Sequence, residues 1–200
     1  MSDAPKTLLQ MASADLTPTA LSAGALLLID CQEEYRTGPL ALPAVEAALS
    51  EAQALLARAR MLGRPVIHVR HVGGPGGPFD PDAPRGQIAQ AVAPLDGEPV
   101  ILKRKPNAFA DTHLMEELTA LGQDKLIVVG FMTHMCISST VRSALDHGVG
   151  ATVVASACAT RPLPDRKGGV VSADVLHEAT LAALSDRFAI IAETSAHVPD

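Results

Sequence analysis

The chain has 200 residues, enough for one domain with a full core, and its composition is 48% hydrophobic and only 19% charged. A formal charge of −6, with no basic patch and no aromatic ladder, argues against a nucleic-acid partner. The longest apolar runs, such as "ALLLI" and "LIVV", fall far short of the ~20 residues of a membrane span, so no membrane partner is expected.

In chain order, residues 1–23 are polar and irregular and read as an arm of the 24–200 domain, packing on the body or on a neighbour. "ALLLID" (25–30) predicts a buried strand, and "LPAVEAALSEAQALLARARMLG" (42–63) a helix stopped at Gly63. "PVIHVRH" (65–71) and "PVILK" (99–103) predict two more strands. Between them "GGPGGPFDPDAPRG" (73–86) predicts a loop over a sheet edge, bordering a pocket. A helix over 111–122, a strand over 125–130, a helix over 136–148 and a strand over 150–156 follow. A helix over 172–187 and a strand over 188–193 complete the series. Continuous apolar strands separated by helical periods mean one parallel sheet covered on both faces, a single-domain α/β fold.

Three cysteines, at 31, 136 and 158, are too widely spaced for a disulfide framework or a zinc pattern. With a single lysine and no long apolar stretch at the N-terminus, a secretory signal is not expected, and the expected compartment is a reducing cytoplasm. Low charge beside an apolar surplus predicts a homo-oligomer, with 1–23 or 73–86 meeting a neighbour.

In open parallel sheets, ligands bind beyond the carboxyl ends of the strands. Asp30 ends the first strand, Lys103 ends the third, and Cys136 lies just past the fourth. Each alone has a bland explanation: a turn former, a surface charge, a small core residue. Together they form a chemistry. A cation and a helix N-terminus lower a thiol's pKa, so Cys136 is expected as an activated thiolate. Backbone N–H groups at the same helix start can hold an oxyanion, and Asp30 can take the thiol proton and return it to a leaving amine.

Three segments carry a family resemblance. "LLLIDCQEEY", "GEPVILKRKPNAFADTHL" and "VVGFMTHMCISSTVRSALDHG" resemble, in order, the motifs of the isochorismatase-like cysteine hydrolases. The resemblance implies a six-stranded parallel sheet and a catalytic set of Asp30, Lys103 and Cys136. It also implies an oxyanion hole from the Met132 and Cys136 N–H groups, with a cis Phe131–Met132 peptide. True isochorismatases, which cleave a vinyl ether, lack this cysteine. Nicotinamidases bind a metal through an Asp-x-His pair, where this chain has "HVRH". His68 and His71 sit three apart on a strand and point to opposite faces, so no metal and no other cofactor is expected.

What remains is a metal-independent amidohydrolase acting on a small amide or carbamoyl compound. Gln32, Tyr35, His71, Phe109, Thr133 and His134 are further candidates for contact with that substrate. A nucleotide-binding alternative lacks a G-x-G-x-x-G after the first strand. A catalytically silent binding member of the same fold would have no use for all three reactive residues.

Overall fold

A computed structural model describes residues 4–200, so the first three residues of the expected arm lie outside the described residues. The chain forms β1 (Ala25–Ile29), β2 (Val66–His71), β3 (Val100–Lys103), β4 (Lys125–Phe131) and β5 (Gly150–Ala159). A short antiparallel hairpin, β6 (Leu163–Pro164) and β7 (Val170–Val171), precedes β8 (Ile190–Ala192). The six long-range partners make one parallel sheet in the order β3-β2-β1-β4-β5-β8. The chain therefore builds outward from β1 to β3, then returns to the other side of β1 with β4. That reversal opens a crevice at the carboxyl ends of β1 and β4.

The helices are α1 (Leu8–Met11), α2 (Glu34–Thr37), α3 (Val45–Met61), α4 (Leu114–Ala120), α5 (Ser138–Asp146) and α6 (Ala173–Arg187). On α3, Val45, Ala48, Leu49, Ala52, Leu55, Leu56 and Ala59 form a buried stripe at helical spacing. They pack on one face of the sheet with Leu26 and Leu28, while Ala25, Leu27 and Ile29 of the same strand meet α4, α5 and α6 on the other. A strand buried on both faces reads as an unbroken apolar run for this reason.

The arm packs on the body it precedes. Thr7 and Gln10 form a capping box on α1, the Leu8 N–H donates to Asp186 of α6 at 2.8 Å, and the Thr19 N–H donates to Thr152 Oγ1 at 2.9 Å.

Three elements depart from the sequence expectation. The helix expected from 111 begins only at Leu114, because Asp111 has a left-handed φ of 58° and Thr112 Oγ1 donates to the Ala108 carbonyl instead. β5 runs to Ala159 with extra residues bulged against β4: Val128 pairs with Val153, yet Gly130 pairs with Cys158. The helix expected from 136 starts at Ser138, preceded by a wide π turn over Thr133–Ile137.

Gly130 is a position where only glycine fits. Its φ is 120°, and a Cβ there would lie 2.0 Å from the Ile29 carbonyl oxygen. The clash is with backbone of the neighbouring central strand, so no side-chain movement relieves it. Gly130→Ala is expected to destabilise the fold by roughly 3 kcal/mol or more, through both strain and strand separation. Urea unfolding of the variant checks this, and a loss under about 1 kcal/mol would show that β1 and β4 can part freely.

Candidate active site

Asp30 leaves β1 in a left-handed conformation, φ 53°, which Asp adopts more readily than most residues. Its N–H still donates to Val69 of β2 at 2.9 Å, and its carbonyl accepts the Gln32 N–H at 2.7 Å. The carboxylate is wholly buried. Lys103 ends β3, two strands away across β2, a gap of about 10 Å. The long lysine stem spans it, passing His71, its register partner on β2.

The ammonium of Lys103 meets four groups. Nζ lies 2.7 Å from Asp30 Oδ2, 3.1 Å from the Lys105 carbonyl oxygen, 3.2 Å from His71 Nδ1 and 3.3 Å from Cys136 Sγ. Neither Asp30 oxygen accepts a well-aligned hydrogen bond among the described residues, so its link to Lys103 is an ion pair and lone pairs stay available for a proton. Asp30, Lys103 and Cys136, read from three distant motifs, are thus brought together at one end of the sheet.

The electrostatics run against the expected activation: burial, then the nearby Asp30 charge, push the Cys136 thiol up to about 12, and Lys103 only partly opposes them. The thiol was expected at the first residue of an α-helix with its sulfur open to a cation. Instead it sits inside the π turn, 5% exposed; the carboxylate that shares its cation is the expected Asp30. Burial also raises the Asp30 carboxyl above the usual range, with Lys103 and the thiol acting against it. His71 goes the other way, lowered to about 4 by burial and by the Lys103 and Arg104 charges, and is neutral at physiological pH.

The Phe131–Met132 peptide is cis, and the Met132 N–H makes no hydrogen bond among the described residues. It is an open donor one turn from Sγ, and the Cys136 N–H belongs to the same turn.

The other candidates separate into two groups. Gln32 is fully spent on structure: Oε1 accepts the His71 N–H at 2.8 Å, and Nε2 donates to the His71 and Gly86 carbonyls at 3.0 and 2.8 Å. Thr133 is buried with its hydroxyl on His177 Nδ1 at 2.9 Å, and His134 bonds Thr160 Oγ1 through Nδ1. Phe109 stacks on His147 with centroids 4.8 Å apart, in the apolar cluster that includes Cys136. Tyr35 and His71 lie nearer the reactive groups. Tyr35 is wedged between Phe79 and Phe131, and its hydroxyl is raised by burial and by the Asp30 and Cys136 charges.

Phe79 escaped the sequence reading. It sits in the 73–86 loop at φ 57° and packs its ring on His71 at 5.0 Å and on Tyr35 at 5.2 Å. A lone aromatic flanked by Gly and Pro was the available signal: so apolar a side chain in a loop needs a place to bury. The loop therefore lies over the end of β2, held by Arg70 on the Gly86 and Pro81 carbonyls at 2.9 Å each, rather than over a sheet edge. Among the described residues, no group of three or more His, Cys, Asp or Glu is placed to hold a metal ion, and no helix is long and apolar enough to cross a membrane. His68 turns from His71 and bonds Glu98 at 2.9 Å.

The architecture is a three-layer α/β scaffold with a buried polar cluster at its switch point. Residues 24–196 match the Isochorismatase domain. The chain is 41% identical over 175 residues to the isochorismatase family protein YddQ of Bacillus subtilis, covering 86% of this chain and 97% of that one. It is 35% identical over 147 residues to maleamate amidohydrolase of Pseudomonas putida, covering 65% and 69%. The crystal structure of an isochorismatase from Pseudomonas putida superposes with a TM-score of 0.93 at 45% identity, over 98% of this chain and 100% of that one. The chain belongs to the isochorismatase family and is a hydrolase.

Removing the cation tests the ion pair. Lys103→Met leaves a buried carboxylate uncompensated and is expected to cost about 3–5 kcal/mol at neutral pH. The sign with pH follows from Asp30. A folded-state pKa above the unfolded one stabilises below the unfolded value and loses that contribution as pH rises through the folded one. Loss of Lys103 raises it further, so the variant's deficit should shrink on acidification. Denaturant midpoints at several pH values check this, and a deficit independent of pH would place the loss in packing alone.

Proposed function

We propose that the chain is a cysteine hydrolase that cleaves a C–N bond of a small amide or carbamoyl compound through a thioester on Cys136. The observation that carries this reading is one ammonium, Lys103, within 2.7 Å of a buried carboxylate and 3.3 Å of a buried thiol. The amide class is supported by the likeness to maleamate amidohydrolase.

Burial and the Asp30 charge raise the thiol, so deprotonation accompanies attack. Asp30 takes the Cys136 proton as the sulfur bonds to the carbonyl carbon, and the carbonyl oxygen becomes an oxyanion facing the Met132 and Cys136 N–H groups. Lys103 stays charged beside whichever of the two, carboxylate or sulfur, bears the negative charge. Collapse breaks the C–N bond, and Asp30 returns its proton to the departing nitrogen. A water, deprotonated by Asp30, then attacks the thioester, and the released thiolate recovers the proton. Each half-reaction leaves Asp30 ionised as it began.

A panel of small amides with ammonia detection, run beside Cys136→Ala, tests the reading. The variant should lose a thousandfold or more, to the order seen when a covalent nucleophile is deleted. Acid quenching of the wild-type enzyme should give an acyl adduct on the Cys136 peptide by mass spectrometry. Activity should rise with pH through an ionisation above the usual Asp range, because Asp30 must be a carboxylate to accept the proton. Undiminished hydrolysis by Cys136→Ala would refute the thioester route, and turnover of vinyl ethers alone would refute the C–N class.

A further inference from the structure

We infer that His71 is a positioning residue for Lys103: its Nδ1 fixes the rotation of the ammonium so that one N–H is aimed at Cys136 while the charge stays paired with Asp30. The inference rests on the proposed role of Cys136 but concerns a residue outside the reacting set.

The argument begins with a count. A lysine ammonium has three protons, and four acceptors surround this one within 3.3 Å. Two of them, the Lys105 carbonyl and His71 Nδ1, are neutral and keep their character throughout a proton transfer from Cys136 to Asp30. The other two exchange a charge. With two N–H bonds anchored on the neutral pair, tetrahedral geometry dictates the direction of the third, which goes to Cys136 Sγ at 3.3 Å with Asp30 Oδ2 beside the same ammonium at 2.7 Å. Negative charge can then pass from carboxylate to sulfur without reorienting the ammonium, which is the benefit of a preorganised donor.

His71 is built for this part. Gln32 grips both its N–H and its carbonyl, at 2.8 and 3.0 Å, so the backbone at the end of β2 is fixed independently of the ring. The edge of Phe79 packs on the ring at 5.0 Å. The charged and titratable groups around the pair are Lys103, Arg104, Asp30, Cys136 and Tyr35. Burial, aided by the two cations, keeps the imidazole neutral, and a neutral ring that accepts at Nδ1 must carry its proton on Nε2. His68, on the same strand, bonds the Glu98 carboxylate instead of a lysine ammonium.

The test uses iodoacetamide alkylation of Cys136, followed by intact-protein mass spectrometry as a function of pH, in the wild type, His71→Leu and His71→Asn. Leu keeps bulk and removes the acceptor, whereas Asn places Oδ1 near the position of Nδ1. His71→Leu should slow alkylation at about pH 7 by about tenfold, the worth of a hydrogen bond to a charged group, and move the rise in rate to higher pH. His71→Asn should recover most of that loss. Equal rates and profiles for Leu and wild type, or equal losses for Leu and Asn, would overturn the inference. Should His71→Leu fail to fold, a long-range 1H–15N spectrum of the wild type decides: an unprotonated Nδ1 with Nε2–H supports the role, and an Nδ1–H signal overturns it. If Cys136 is not the nucleophile in turnover, Cys136→Ala keeps hydrolysing amides whatever the alkylation data show, so the two failures are distinct.

Discussion

The interaction on which the site depends is the ion pair between Asp30 and Lys103, at 2.7 Å with both side chains fully buried. Such a pair is a poor stabiliser, since desolvating two charges costs about as much as their attraction returns. Its value is chemical. In the proposed mechanism the cation keeps a carboxylate available where burial alone would protonate it, and the same cation is in place when charge moves to sulfur.

That pair exists because of the strand order. β3 and β1 are not neighbours, and β2 lies between them. A lysine is long enough to cross the intervening strand; an aspartate at the end of β1 is short enough to stay in the crevice. Gly130 completes the geometry from the other side, letting β4 approach the Ile29 carbonyl so closely that no Cβ fits. The cis peptide and the π turn then follow within a few residues and carry Cys136 to the ammonium. Sequence, topology and chemistry meet at the one place where the sheet reverses direction.

The sheet was legible because each strand is an apolar run bounded by turn residues, and all six expected strands are present. The reactive cluster was legible because its members sit at strand ends, where a parallel sheet gathers them. What could not be read were features set by neighbours distant in sequence. The bulge of β5 depends on its register with β4, and the φ of Phe79 depends on the rings of His71 and Tyr35. The thiol shows the limit most clearly. A cation and a helix start were both readable beside Cys136, and both favour the thiolate. Burial and the Asp30 charge were not readable in magnitude, and they win, pushing the thiol up to about 12.

A thiol held neutral at rest changes how the site should be understood. A permanently ionised cysteine would attract oxidants and alkylating agents whenever they arrived. In the proposed mechanism the proton leaves only when a base, a cation and an electrophilic carbon act on the sulfur together. The substrate carbonyl would supply the last of these, which would make reactivity conditional on occupancy. Several side chains around the cluster are committed to holding its frame. Gln32 uses its amide on both sides of His71, Arg70 holds the 73–86 loop down, and Phe79 packs against His71 from above. Each holds one side of the frame around His71, whose ring meets the ammonium. In a medium of low dielectric the interactions of that ammonium are strengthened, so the frame around Lys103 is part of the chemistry proposed for it.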